Sequence, residues 1–208
     1  MQDAYVGSWA QESHLSTERL ESLRDLNHRF LDLTAARATE WVPRGEAGFA
    51  SGLTARLAPL SAAQRAAAAG CPYALFDVRF QDEGYWRLRL QDSASWRVAD
   101  EDPIDDDTVG FVRLALFYAW HVASSAGLAA QLLLGMNGGT AAEFRRITVN
   151  RLPALAVTEA VNLSARWSDC TAYWSALTGA AARTDPKALR RVQLYGLQLA
   201  AVARLPNS

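Results

Sequence analysis

TVGFVRLALFYAWHVASSAGLAAQLLLGMNGGTAAEFRRITVNRLPALAVTEAVNLSARW, residues Thr108–Trp167, decides the fold class. Val112, Ala115, Leu116, Ala119, Trp120 and Ala123 recur at three- and four-residue steps. That spacing makes one apolar stripe on a 3.6-residue helix. Ser124, Ser125 and Gly127 loosen the helix, and Leu128–Leu134 predicts a second, shorter one. Gly135 stands where a helix stops, because a left-handed C-terminal residue is cheap only without a Cβ. Asn137-Gly138-Gly139 reads as a turn. Thr140 then caps a third helix, with Glu143 completing a capping box, and that helix ends near Ile147. Thr148 caps a fourth, carrying Leu152, Leu155 and Ala156. Helix, tight glycine turn, helix is the outline of a DNA-reading helix-turn-helix, and equally of any helical hairpin. Gln131, four residues before Gly135, is larger than close approach of two such helices favours.

To the C-terminal side, Tyr173, Trp174 and Leu177 give a short helix that Gly179 is expected to end. Asp185-Pro186 is a cap followed by proline at the first helical position. The last helix then runs from Pro186 to about Leu205, with Leu189, Val192, Leu194, Leu197, Leu199 and Ala200 covering more than one face. Such a helix is buried on several sides or covered by a partner. Trp120, Leu194 and Leu197 are the expected interface residues.

Residues 109–203 resemble FlhD, the small all-helical subunit of the bacterial flagellar transcriptional activator. The resemblance rests on Leu116, Ala119, the run Leu134-Gly135-Met136-Asn137, Thr148, Leu155-Ala156 and Arg166-Trp167. It continues through Leu177-Thr178, Leu189 and Val192. Met136 stands where FlhD has another aliphatic residue, and Trp167 where it has Phe. The resemblance implies a helical dimer that acts on promoter DNA with a partner subunit. FlhD proteins often carry a cysteine where this chain has Leu163, so no inter-subunit disulfide is implied here.

To the N-terminal side, residues 1–14 read as a loose arm or docked tail. Ser16 caps a long helix with the face Leu20, Leu23, Leu26, Phe30 and Leu33, and His28 is expected among solvent-facing charges. Trp41-Val42-Pro43-Arg44-Gly45 is a break. A helix is expected over 46–58, and Ser61 caps another over 62–69 that Gly70 ends. Phe76, Val78 and Phe80 then alternate with polar residues, as do Trp86, Leu88 and Leu90 beyond Asp82-Glu83-Gly84. Period two on both sides of an acidic glycine turn predicts a β-hairpin over 76–98, with Trp96 and Val98 as a third strand. The competing reading starts a helix at Pro72.

The fold class expected is mainly α: a FlhD-like helical domain over 106–208 and an acidic N-terminal region, 1–105, carrying a small hairpin. Charge divides the same way. Residues 1–108 hold 11 Arg and 18 Asp or Glu, so 11 − 18 = −7. Residues 109–208 hold 10 Lys or Arg and 4 Asp or Glu, so 10 − 4 = +6. The two signs either neutralise each other across an interface or leave a basic exterior that attracts a polyanion. Arg145, Arg146, Arg151 and Arg166, with Arg183, Lys187, Arg190 and Arg191, are the candidate phosphate contacts. The last three open a helix against its dipole, an arrangement that hints at a phosphate partner.

The acidic run 99–107 invites a metal reading, but it lacks the glycine and closing glutamate of a calcium loop. Capping of the following helix by Asp106 or Asp107 explains it better. Cys71 and Cys170 read as free thiols in a reducing compartment. No stretch of 18 apolar residues exists and no signal peptide precedes Tyr5, so a cytoplasmic, non-membrane protein is expected. No nucleophile elbow, phosphate loop, dinucleotide fingerprint or zinc-protease motif is present. The expectation is a non-enzyme without cofactor: a transcriptional regulator or accessory factor that contacts DNA, a regulatory protein or a second copy of itself. The rivals are a pure protein-interaction module and a metal-dependent enzyme built on the acidic run.

Overall fold

The computed structural model describes residues 15–40, 49–91 and 105–203. Helix α1 (Thr17–Glu40) opens where the Ser16 hydroxyl accepts the Arg19 N–H at 3.3 Å. Its expected face is turned inward: Leu23, Leu26 and Phe30 are in the core, with Leu20 and Leu33 half-buried, and Leu31, outside that series, is fully buried as well. Helix α2 (Phe49–Leu57) and helix α3 (Ala62–Ala68) follow. Helix α3 starts in a full capping box between Ser61 and Gln64.

The hairpin does not form. Phe76, Val78 and Phe80 are all buried and Arg79 is exposed, so the first alternation is real. Only β1 (Phe76–Asp77) pairs, however, and its partner is distant. It lies antiparallel to β2 (Ser164–Ala165), with Phe76 opposite Ala165 and Asp77 opposite Ser164. Residues Glu83–Gln91 are helix α4. What reads as an acidic turn is a helix start: the Asp82 carboxylate accepts the Tyr85 N–H at 2.9 Å, and Glu83 occupies the first turn, where negative charge meets the helix dipole. Trp86 is fully buried while Leu88 is 70 % exposed, which a strand with both on one face would not allow. The helix of the competing reading, from Pro72, is absent too; residues 71–75 are an irregular, bent and mostly buried segment. Trp96 and Val98 lie outside the described residues.

Helix α5 (Asp106–Ser125) is capped by Asp105 rather than Asp106 or Asp107, its carboxylate accepting the Thr108 N–H at 2.7 Å. Of the acidic run that the rival metal reading uses, Asp100, Glu101 and Asp102 lie outside the described residues, and Asp105 also pairs with Arg37 at 3.3 Å. A break at Ala126 leads to α6 (Gly127–Leu134), which ends on Gly135 at φ 74°. Helix α7 (Gly138–Arg146) starts earlier than expected, because the Asn137 side chain caps it by accepting the Thr140 N–H at 2.7 Å. A 3-10 turn over Val149–Arg151 leads into α8 (Leu152–Glu159). Helix α9 (Thr171–Ala182) runs through Gly179, and α10 (Pro186–Val202) begins on the expected Asp185 cap. The fold among the described residues is therefore mainly α, with one small two-stranded sheet.

One apolar cluster runs from Leu23 of α1 through Tyr73 and Phe76 to Val112, Leu155, Tyr173 and Trp174. Helix α5 touches α1 as well as α6, α7 and α8; α3 touches α9, and α4 touches α7. The charge boundary near residue 105 is thus not a boundary of the core. The buried chain between α3 and β1 is held by hydrogen bonds, as buried backbone requires. Asn27 Nδ2 faces the carbonyls of Ala69, Cys71 and Tyr73 at 3.3, 3.4 and 2.9 Å, and its Oδ1 accepts the Leu75 N–H at 2.8 Å. The Ala74 N–H donates to Leu133 O at 2.7 Å, and the Arg166 N–H donates to Leu75 O at 2.9 Å.

Candidate functional site: an exposed basic corner

The eight candidate cations have different fates. Arg145 and Arg146 are exposed at the C-terminal end of α7, where positive charge suits the dipole. Arg146 also pairs with Glu143 at 3.2 Å. Arg151 is half-buried and donates to Leu90 O at 3.0 Å, bracing α8 against the end of α4.

Arg166 is not a surface cation; it is only 5 % exposed. Its Nη1 donates to Leu133 O at 3.3 Å, and its guanidinium carbon lies 4.6 Å from the centre of the Trp167 ring. A Cβ at Gly135 would overlap that guanidinium. Arg166 therefore neutralises the carbonyl end of α6 and rests on the one residue there without a side chain. The Gly135 and Arg-Trp positions of the expected pattern are a single packing device.

Arg183, Lys187, Arg190 and Arg191 come together. Helix α9 ends at Ala182, Thr184 turns the chain at φ 52°, and α10 starts within two residues. All four cations are exposed. The nearby Asp185 carboxylate is occupied by the backbone N–H groups of Lys187 and Ala188. Among the described residues no carboxylate forms an ion pair with any of the four; Arg191 Nε donates to Lys187 O at 3.4 Å. Lys187, Arg190 and Arg191 lie at three- and four-residue steps on α10 and repel one another, and Lys187 in its first turn also opposes the dipole, whereas Arg183 sits at the C-terminal end of α9, where positive charge suits the dipole. A bound anion relieves the repulsion and the opposition.

Farther along α10 the outward residues become apolar: Leu194 is 56 % exposed and Leu197 43 %. The inward side carries Val192, Gly196 and Ala200. Gly196 is required because the Tyr73 hydroxyl occupies the space a Cβ would take, donating to Gln193 O at 3.3 Å. Trp120 does not share this outward placement. Its ring packs on the core and its indole N–H donates to Ile147 O at 2.9 Å, tying α5 to the end of α7.

Acidic residues of the N-terminal region do meet the basic half, though among the described residues not at Arg183, Lys187, Arg190 or Arg191. The Glu83 carboxylate, paired with Arg87, lies against Gly139 in the first turn of α7, where a Cβ would collide with it. In the reverse sense, Arg89 of α4 pairs at 2.7 Å with Glu159, which is fully buried. Glu159 also accepts from the Tyr85 hydroxyl at 2.6 Å and Asn162 at 2.8 Å. Sequence reasoning missed this network, since Glu159 sits in an ordinary helical stretch; its only sign was a carboxylate on the side of α8 shared by Leu152, Leu155 and Ala156. Cys71 is buried beside Tyr173, Sγ to Oη 3.8 Å, and burial pushes its thiol up to about 11. It is inert packing rather than a nucleophile.

Among the described residues, no three His, Cys, Asp or Glu side chains group as a metal site, and no helix is long and apolar enough to cross a membrane. No family model, curated protein or solved structure matches this chain.

Proposed function

We propose that this chain is a regulator of transcription, or an accessory factor of one, that holds a nucleic-acid backbone on the corner between α9 and α10. The observation that carries the reading is the group Arg183, Lys187, Arg190 and Arg191, exposed together with no ion pair among the described residues. Arginine forks suit phosphate oxygens, and a helix N-terminus favours anions. The resemblance of residues 109–203 to FlhD supplies the second support. These contacts position a polyanion and read no base, so the expected binding is weakly sequence-dependent. The test is a DNA-binding titration of the full chain across salt concentrations. Four phosphate contacts give log K against log salt a slope of about −4. Arg190→Glu with Arg191→Glu should flatten the slope and weaken binding at least about tenfold. Binding that ignores salt, or survives the double reversal, would end this reading.

Leu194 and Leu197 favour a second reading, a protein-interaction module that dimerises or docks on a regulator through the later turns of α10. Sedimentation of the full chain tests it. A dimer that Leu194→Glu and Leu197→Glu convert to monomer supports it, and a monomer at high concentration that also captures no regulator after nuclease treatment counts against it.

A further inference from the structure

Helices α1 and α5 pack antiparallel. Arg37, near the end of α1, pairs with Asp105 at the start of α5, and farther along α5 the Tyr118 hydroxyl donates to Arg19 O at 2.9 Å. Phe30 and Phe111 fill the space between the helices, ring centroids 5.9 Å apart. Outside that contact the two helices leave a surface groove of about 640 Å³. Its charges are sorted along its length. Asp106 and Asp107, both exposed, stand at the α5 start. Gly110 and the half-buried Leu33 of α1 line the middle. Arg113 of α5 and Arg29 of α1, both exposed, stand at the far end beside Leu114, which is 44 % exposed. The remaining charge, Asp32, is held by Arg65 at 2.6 Å and His28 at 3.5 Å.

The other four charges are uncompensated. Among the described residues none of Asp106, Asp107, Arg29 and Arg113 forms an ion pair or a side-chain hydrogen bond. The acidic and basic ends are about 10 Å apart along the helix, too far to neutralise each other within one chain. Gly110 is a second, separate observation. A Cβ there would meet nothing within 4 Å, so no contact of its own fold asks for a glycine. Glycine inside a helix is unfavourable relative to alanine, and it lets another backbone come close.

We infer that this groove is an interface between two copies of the chain, related by a two-fold axis at Gly110, with α5 antiparallel to α5 of the other copy. Asp106 and Asp107 of each copy then face Arg29 and Arg113 of the other, while Leu33 and Leu114 cover the centre. A two-fold contact needs a self-complementary surface, and acid at one end, base at the other and apolar side chains between make one. A nucleic acid would be repelled by the acidic end, and a helix of one charge sign would leave the other end uncompensated. The groove shares no residue with the basic corner or with Leu194 and Leu197, and the inference does not rest on the proposed function.

The test is sedimentation of the full chain and its variants at about 0.1 mM, since a small interface gives about micromolar affinity. The parent should be a dimer that salt weakens. Arg29→Asp with Arg113→Asp sets acid against acid in a pair of identical chains, and Asp106→Arg with Asp107→Arg sets base against base. Each should weaken self-association at least about tenfold. An equimolar mixture of the two swapped chains matches acid to base at both ends and should be dimeric again, which no loss of folding could imitate. Gly110→Glu spares the fold, because its Cβ meets nothing in the chain and a carboxylate in the early turns of a helix suits the dipole. It should keep a cooperative melt and lose the dimer, since two carboxylates meet at the axis. A monomeric parent, swapped chains as dimeric as the parent, a mixture that stays monomeric, a dimer that survives Gly110→Glu, or one dispersed only by Leu194→Glu with Leu197→Glu would each overturn the inference.

Discussion

Asn27 occupies a position on α1 that helical spacing assigns to the core, between Leu26 and Phe30, and it is fully buried there. An apolar residue would fill the space and take the Asn27 partner from the carbonyls of Ala69, Cys71 and Tyr73 and from the Leu75 N–H. Asn27→Ala should cost about 3 kcal/mol or more, since it strands several buried backbone groups at once; denaturant titration measures it. Glu159 is a second such residue. Glu159→Ala removes the buried carboxylate that Arg89, Tyr85 and Asn162 share, so a loss of about 3–5 kcal/mol is expected, roughly 10 °C in melting temperature. The buried tyrosines set the alkaline limit. Burial, then Glu159, pushes Tyr85 up to about 12, and burial raises Tyr73, Tyr118 and Tyr173 as well. The folded chain thus keeps protons that the unfolded chain releases near pH 10, so stability is intact below that and falls as pH rises through the folded values. Melting temperature against pH checks the sign; Tyr73→Phe should make the fall shallower.

Helix ends carry the next level. Asp185→Ala removes an acceptor for two N–H groups at the start of α10, a loss of about 1 kcal/mol. It also removes the only carboxylate of residues 183–191, so DNA binding should tighten slightly while stability drops. Opposite signs in the two measurements would show that the corner acts through charge rather than shape. Most helix starts were legible: Ser16, Ser61 and Asp185 cap as their side chains predict, and Gly135 ends α6 in the left-handed conformation. Asn137 and Asp105 took the caps expected at Thr140 and at Asp106 or Asp107, because each of those stretches offers several capping side chains in succession. The stretch 82–91 failed for a related reason. Asp-Glu-Gly serves as a turn or as a helix start, and Trp86, Leu88 and Leu90 alternate in sequence without alternating in burial.

At the scale of the molecule, α1, α3, α4 and the buried chain between α3 and β1 share one core with the helices beyond residue 105. Residues 109–208 alone would expose the surfaces of α5, α7 and α9 that α1, α3 and α4 cover. That fragment should lack a cooperative melt, which circular dichroism would show; a sharp transition near that of the full chain would contradict the shared core. The charge asymmetry is only partly spent within the fold. Glu83 meets the start of α7 and Arg89 meets Glu159, while the corner around Arg190 finds no carboxylate among the described residues.

Helices, most of their ends and the apolar face of α1 follow from residues within a turn or two of each other, and a sequence displays those neighbours directly. The pairing of Phe76–Asp77 with Ser164–Ala165, the capping of α6 by Arg166 and the groove between α1 and α5 join residues tens of positions apart. Arg166 and Arg190 look alike as letters in a basic half. Only the folded chain, by setting the Leu133 carbonyl against one and open solvent against the other, makes the first a structural cation and the second an exposed one.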